Sequence, residues 1–162
     1  MSKLPIGIAI ASAIFAIGYF VIVTDAAAYG GNAPETCANC HVMNSQYENW
    51  YHSAHENWAK CTDCHLPHDN FAVYYAEKGR QGMKDTYAFV TGNIPEAMQA
   101  SEKTKEIIQG NCIQCHGSTV DSIVMGDQPF ERYCWDCHRD TAHGLRGASI
   151  VPFQDSSLYP SK

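Results

Sequence analysis

No cysteine of this chain lies outside a C-x-x-C-H motif. That absence leaves no thiol over for a separate disulfide framework. Basic residues are scarce: 11 Lys and Arg stand against 17 Asp and Glu, for a net charge of −6. No Lys/Arg-rich run occurs, which excludes the basic patch that nucleic-acid binding requires. No stretch shows the apolar/polar alternation of a half-buried strand, so no sheet is expected. Long apolar runs are missing too, apart from one at the N-terminus.

What the chain does have is four repeats of one motif. They are Cys37-Ala-Asn-Cys40-His41, Cys61-Thr-Asp-Cys64-His65, Cys112-Ile-Gln-Cys115-His116 and Cys134-Trp-Asp-Cys137-His138. Each reads as the attachment site of a c-type haem. The two thiols bond to the porphyrin vinyl groups, and the following His is placed to ligate the iron from one face. One such motif would also suit a zinc half-site or a redox dithiol. Four that use every cysteine point to four haems, and a set of four disulfides would need no His after each second Cys. Four haems in 162 residues leave little room for a side-chain core. The porphyrins are expected to form that core, and their propionates to add acidity. Covalent haem attachment operates outside the bacterial cytoplasm, which places the haem domain in the periplasm.

Leu4 to Val23 is an uncharged run of 20 residues. As a helix it spans about 30 Å, the thickness of a bilayer's hydrocarbon core. Lys3 precedes it and Asp25 follows, so the N-terminus is expected in the cytoplasm. Ala26-Ala27-Ala28 resembles a signal cleavage site, but the apolar run exceeds a usual signal core and its leading segment is barely basic. The expected organisation is an anchor over residues 1–29, a periplasmic tetrahaem domain over 30–147 and an irregular tail over 148–162. Tyr19 and Tyr29 suit an interfacial belt, and residues 30–34 a linker.

The motifs are paired. Cys37 to Cys61 is 24 positions and Cys112 to Cys134 is 22, with a longer gap between, as in a duplicated dihaem unit. In the gap, Asp69 is placed to cap a helix carrying Phe71, Tyr74, Tyr75, Met83, Tyr87 and Val90. Gly79 and Gly82 predict a bend or a division into two helices. That aromatic stripe suits packing on a haem or against a membrane surface. Ser101 to Gln109 reads as a second helix, capped by Ser101 and stopped by Gly110. The fold class is mainly α with much irregular structure: one transmembrane helix plus a compact tetrahaem domain of two dihaem units.

Four histidines, His52, His55, His68 and His143, lie outside the motifs. A lone His is by default a surface or packing residue. Here the haem density makes each a candidate second axial ligand, which tunes the iron's potential. His143 follows the fourth motif too closely to serve that haem and should cross to another. His52 and His55 are three apart and would share a face if helical, so one of the two is expected to ligate. Met43, two residues after His41, is a further candidate, since a thioether reaches that iron face only if His41 does not.

On these features the chain resembles the NapC/NirT/NrfH family of membrane-anchored tetrahaem quinol dehydrogenases. The C-H-x-M extension at Met43, His52-Ser-Ala-His55, Cys64-His-Leu-Pro, Tyr133-Cys-Trp-Asp-Cys-His138 and Ala142-His143-Gly144 bring it nearest the branch that forms the small subunit of cytochrome c nitrite reductases. The resemblance implies that Met43 ligates haem 1 and leaves His41 free. It implies motif ligands His65, His116 and His138, and distal ligands His55 and His143. It implies a lysine from the catalytic partner on the remaining haem. It places Lys78 and Asp85 beside haem 1 at a quinol site. His68 has a counterpart in only some relatives, and His52 is unassigned.

Quinol oxidation releases two electrons and two protons. A carboxylate such as Asp85 suits proton acceptance, and Lys78 suits a hydrogen bond to a quinone oxygen. The expected function is menaquinol oxidation, with electrons passed to a periplasmic multihaem nitrite reductase. Alternatives are a NapC-type donor to nitrate reductase or another periplasmic reductase, and an electron relay without its own quinol site.

Overall fold

The computed structural model describes residues 4–95, 98–124 and 132–143; Gly144 and the expected tail, 148–162, lie outside the described residues. These residues form helices and turns, with no strand among them. Helix α1 (Leu4–Val23) is apolar all round, and its membrane-length window is not buried by the rest of the chain. A helix apolar on every face and packed on no protein has the character of a membrane span. Thr24 caps its end by donating Oγ1–H to the Phe20 carbonyl at 2.7 Å. A 3-10 turn over Ala26–Gly30 follows.

The haem-motif region is built from short helices. α2 (Pro34–Ala38) opens with proline at its first position, where a missing N–H costs nothing. α3 (Asn44–Tyr51) follows a 3-10 turn over His41–Met43. α4 (Cys61–His65) is the second motif itself, and α7 (Cys134–Cys137) is the core of the fourth. Both are started by the same device. The Asp before the second Cys accepts from the backbone N–H at the cap: Lys60 to Asp63 at 2.9 Å, and Tyr133 to Asp136 at 3.0 Å.

Between them run two long helices, and here the structure differs from the sequence-based expectation three times. First, α5 (Phe71–Thr91) is capped by Asn70, not Asp69: the extended backbone at Asn70 lets its Oδ1 accept from Val73 N at 2.9 Å. Second, α5 is one continuous helix through Gly79 and Gly82. Each glycine costs about 1 kcal/mol relative to alanine, but both ends are fixed. At the C-terminus Gly92 adopts φ 68°, its N–H bonds the Phe89 carbonyl and Asn93 N–H bonds that of Ala88, a Schellman stop. Third, α6 (Glu102–Val124) does not end at Gly110 but carries the whole third motif. Ser101 does cap it, accepting from Thr104 N at 3.3 Å. A glycine stops a helix only by turning left-handed, and the adjacent Asn111 is held by tertiary bonds to the carbonyls of Cys64 and Leu66 at 2.9 and 2.8 Å.

The side-chain core is small. Among the described residues only Trp50 and Leu66 are buried large hydrophobics. Burial stabilises by about 1.5–3 kcal/mol per such side chain, whereas ordering the backbone costs about 1–2 kcal/mol per residue. Side chains alone do not close that gap, which fits a domain filled by porphyrin. Buried polar contacts add direction: Asn49, 2% exposed, donates to the His143 carbonyl at 2.9 Å across 94 positions.

One ion cluster joins the long helices. Glu77, 4% exposed, accepts from Arg80, from Gln81 at 3.1 Å and from Lys103 of α6 at 2.7 Å. Gln81 also reaches the His65 carbonyl at 3.2 Å. Arg80, then Lys103 and Gln81, hold the Glu77 carboxyl well below the usual range, against the opposing effect of burial. Its contribution is therefore complete above about pH 4.3, the unfolded value, and is lost as pH falls below that towards the folded value. Glu77→Gln is expected to destabilise the domain by about 1–3 kcal/mol, between exposed and buried pairs because both cations reach water. Denaturant unfolding at pH 7 checks this, and the difference from the parent should shrink on acidification below pH 4.

Candidate functional site

The four motifs meet in sequence order. Cys37 of the first touches Cys61 of the second, with Lys78 near by. Asn111, beside the third motif, holds the second through the Cys64 carbonyl at 2.9 Å. Cys134 of the fourth donates its backbone N–H to Gln109 at 2.9 Å, one turn before the third. None of the eight cysteines is in a disulfide.

Two motif histidines face a histidine from elsewhere. The rings of His65 and His143 have centroids 5.9 Å apart, and those of His55 and His116 are 6.2 Å apart. An imidazole–metal bond of about 2 Å, with roughly 1 Å from nitrogen to ring centre, puts two trans imidazoles about 6 Å apart. At these separations either pair could hold one iron between its rings. Burial, with His143 adding to it, lowers His65 to about 4, and burial lowers His143 as well. Both shifts favour the neutral imidazole, the form that binds metal. His143 Nδ1 lies 3.3 Å from the Gln46 carbonyl. A carbonyl only accepts, so Nδ1 carries the proton and Nε2 is left free.

The other two spare histidines lie apart from these pairs. His52 is on the surface, 3.8 Å from the Glu48 carboxylate. His68 lies 3.1 Å from the Asp63 carbonyl, to which its Nε2–H donates, and beside the Tyr74 ring. His138 lines a cavity of about 360 Å³ together with His55 and Arg139.

The first motif differs from the rest. His41 and Met43 lie on one 3-10 turn, where residues two apart point to different sides. His41 is exposed and packs edge-on against Phe89 of α5, with centroids 5.9 Å apart, while Met43 is half-buried. Phe89 shares a face of α5 with Lys78 and Asp85, because 100° per residue brings positions 78, 85 and 89 to one side. Lys78 Nζ donates to the Gly30 carbonyl at 3.2 Å and to that of Gly31, and it sits 5.8 and 5.9 Å from the Tyr74 and Tyr75 ring centres. These are cation–π distances. Asp85 is open to solvent, yet surrounding protein desolvates it enough to raise its carboxyl; Lys84 and Arg80 oppose the shift.

The NapC/NirT cytochrome c family, N-terminal region, matches residues 1–147. The chain belongs to that family. It is 38% identical over 151 residues to the cytochrome c-type protein NrfH of Wolinella succinogenes, covering 85% of each chain. It is 34% identical over 107 residues to the cytochrome c nitrite reductase subunit NrfH of Nitratidesulfovibrio vulgaris, covering 66% of this chain and 65% of that one. To NapC of Escherichia coli K12 it is 30% identical over 141 residues, 70% of each. Among solved structures it matches the cytochrome c nitrite reductase NrfHA complex bound to the inhibitor HQNO, with TM-score 0.62 and 27% identity over 90% of this chain and 93% of that one.

Membership in the NapC/NirT family makes the chain a c-type cytochrome with covalently bound haem, an electron-transfer protein. Sequence reasoning missed the Glu77 cluster and the Phe89–His41 contact. The Glu77–Arg80 spacing was a visible helical pair, but Lys103 lies 26 positions away and carried no signal.

Proposed function

We propose that this protein is the membrane-anchored electron-transfer subunit of a nitrite reductase complex: it oxidises menaquinol and delivers the electrons, by way of four covalently bound haems, to a periplasmic multihaem catalytic subunit. The observation that carries this reading is the contact of Lys78 with Gly30 and Gly31. It ties the helix bearing Lys78 and Asp85 to the linker that leaves the membrane helix, beside the first motif. A quinol stays in the bilayer, so its oxidation site must lie at that junction.

The haems supply one-electron transfer, matched stepwise to a two-electron donor. The chain holds them by Cys37 and Cys40, Cys61 and Cys64, Cys112 and Cys115, and Cys134 and Cys137. The paired rings support His65 with His143 and His116 with His55 as axial pairs. His138 then takes its second ligand from the partner, as a lysine from the catalytic subunit would provide. Lys78 orients the quinol oxygen and favours developing negative charge. Asp85, with its raised pKa, accepts a proton. The domain limits proposed are an anchor over 1–29, a tetrahaem domain over 30–147 and a tail over 148–162, with the haem domain periplasmic.

Likeness to NapC proteins supports a second reading, in which another periplasmic reductase is the acceptor. Purification from the native membrane tests the first. A multihaem nitrite reductase is expected to co-purify, and the complex to reduce nitrite with a menaquinol analogue. Co-purification of a different reductase would decide for the second.

Met43 is proposed as the haem 1 ligand in place of His41. Thioether ligation raises the potential relative to two imidazoles, which suits acceptance of electrons from quinol. Met43→Ala should perturb one of four haem spectra strongly and His41→Ala should perturb it little; the reverse order would refute the assignment.

A further inference from the structure

Helix α5 has three faces, and only two are used by the site described above. Glu77 and Gln81 face α6 and the second motif; Lys78, Asp85 and Phe89 face the first. The third carries Met83, Tyr87 and Val90, which are 76, 69 and 76% exposed. With Tyr29 these side chains wall an apolar groove of about 550 Å³ that also includes Gly82 and Thr86. A Cβ at Gly82 would meet nothing within 4 Å, so the groove is open there.

The position of α5 relative to the membrane helix is fixed by four hydrogen bonds. Tyr74 Oη donates to Asn32 Oδ1 at 2.6 Å, Tyr75 Oη to the Gly30 carbonyl at 3.4 Å, and Lys78 to Gly30 and Gly31. Gly30 is seven residues beyond Val23, and the intervening 3-10 turn rises about 2 Å per residue. This keeps α5 within roughly 15 Å of the end of α1. The headgroup layer on that side is itself roughly 5–8 Å thick.

We infer that the Met83–Tyr87–Val90 face of α5, with Tyr29, rests on the lipid surface of the bilayer and forms a second membrane contact beside the anchor. The inference depends on α1 crossing the bilayer. The chemistry of the face suits lipid: two tyrosines at headgroup depth, aliphatic side chains between them, and Lys84 at the flank for phosphate groups. The contact would hold the first motif at the level where quinol leaves the hydrocarbon.

The test uses the full haem-loaded chain, with its co-purified partner, in nanodiscs of phosphatidylethanolamine and phosphatidylglycerol. A benzophenone amino acid replaces Tyr87 in one variant and Val90 in another, with Trp58, 87% exposed and outside α5, as the control position. Irradiation should give phospholipid adducts at 87 and 90 and none at 58. Adducts only to the catalytic subunit or to a second copy, or no lipid adduct at either position, would overturn the inference. The double variant M83E/V90E adds a functional arm. Its reduction by membrane menaquinol should fall about 10-fold, while reduction by a water-soluble quinol in detergent should match the parent; an unchanged rate in membranes would also overturn it. Lipid adducts without any quinol oxidation would instead sink the quinol reading and leave this contact standing.

Discussion

Lys78→Met is expected to slow haem reduction by a menaquinol analogue about 100-fold, the scale of losing one preorganised charge donor at a reacting oxygen. The cation lies at the junction of anchor and haem domain, held by Gly30, Gly31 and two tyrosine faces. Those same partners are soft ones. Carbonyl bonds and ring contacts are exchanged for a quinone oxygen without leaving a buried ion behind. Asp85→Asn should reduce the rate by a similar factor, since positioned acid–base groups contribute about 100-fold or more. Partial desolvation by the surrounding protein raises the Asp85 carboxyl. The ionised form accepts the proton, so the parent rate should fall as pH drops through that raised pKa, and the variant should lack this limb. Dithionite should reduce all haems in both variants at the parental rate. Normal quinol oxidation in both would place the site elsewhere.

The second large effect is expected at the paired rings. His143→Ala and His55→Ala should each convert one low-spin haem to high spin, read by electron paramagnetic resonance and by the near-infrared bands. On the proposed pairing, with rings 5.9 Å and 6.2 Å apart, the second haem should respond to His143→Ala and the third to His55→Ala. The two effects should add in the double variant, because the pairs share no ring. His143→Ala should also weaken the domain, since it removes the ring's hydrogen bond to the Gln46 carbonyl, although the Asn49 bond to the main-chain carbonyl of residue 143 stays. His52→Ala and His68→Ala should leave all four spin states unchanged, because His52 turns to Glu48 and His68 to Asp63. A high-spin haem in either variant, with none in His143→Ala or His55→Ala, would reverse the assignment.

What the sequence determined by itself was everything written in local spacing. Two cysteines and a histidine within five residues define a haem attachment site without reference to the rest of the chain, and an uncharged 20-residue run defines a membrane-length helix. The 78–85 spacing was enough to put Lys78 and Asp85 on one side of a helix. The helix limits were less legible. Gly110 read as a stop and Asp69 as a cap, because a stop or a cap depends on backbone angles that neighbouring contacts settle. Only the tertiary structure decided the pairings. His143 meets His65 from 78 positions away and His55 meets His116 from 61. Lys103 meets Glu77 through a second helix. Contacts at such separations follow from how α4, α5 and α6 pack, and no periodicity along the chain encodes them.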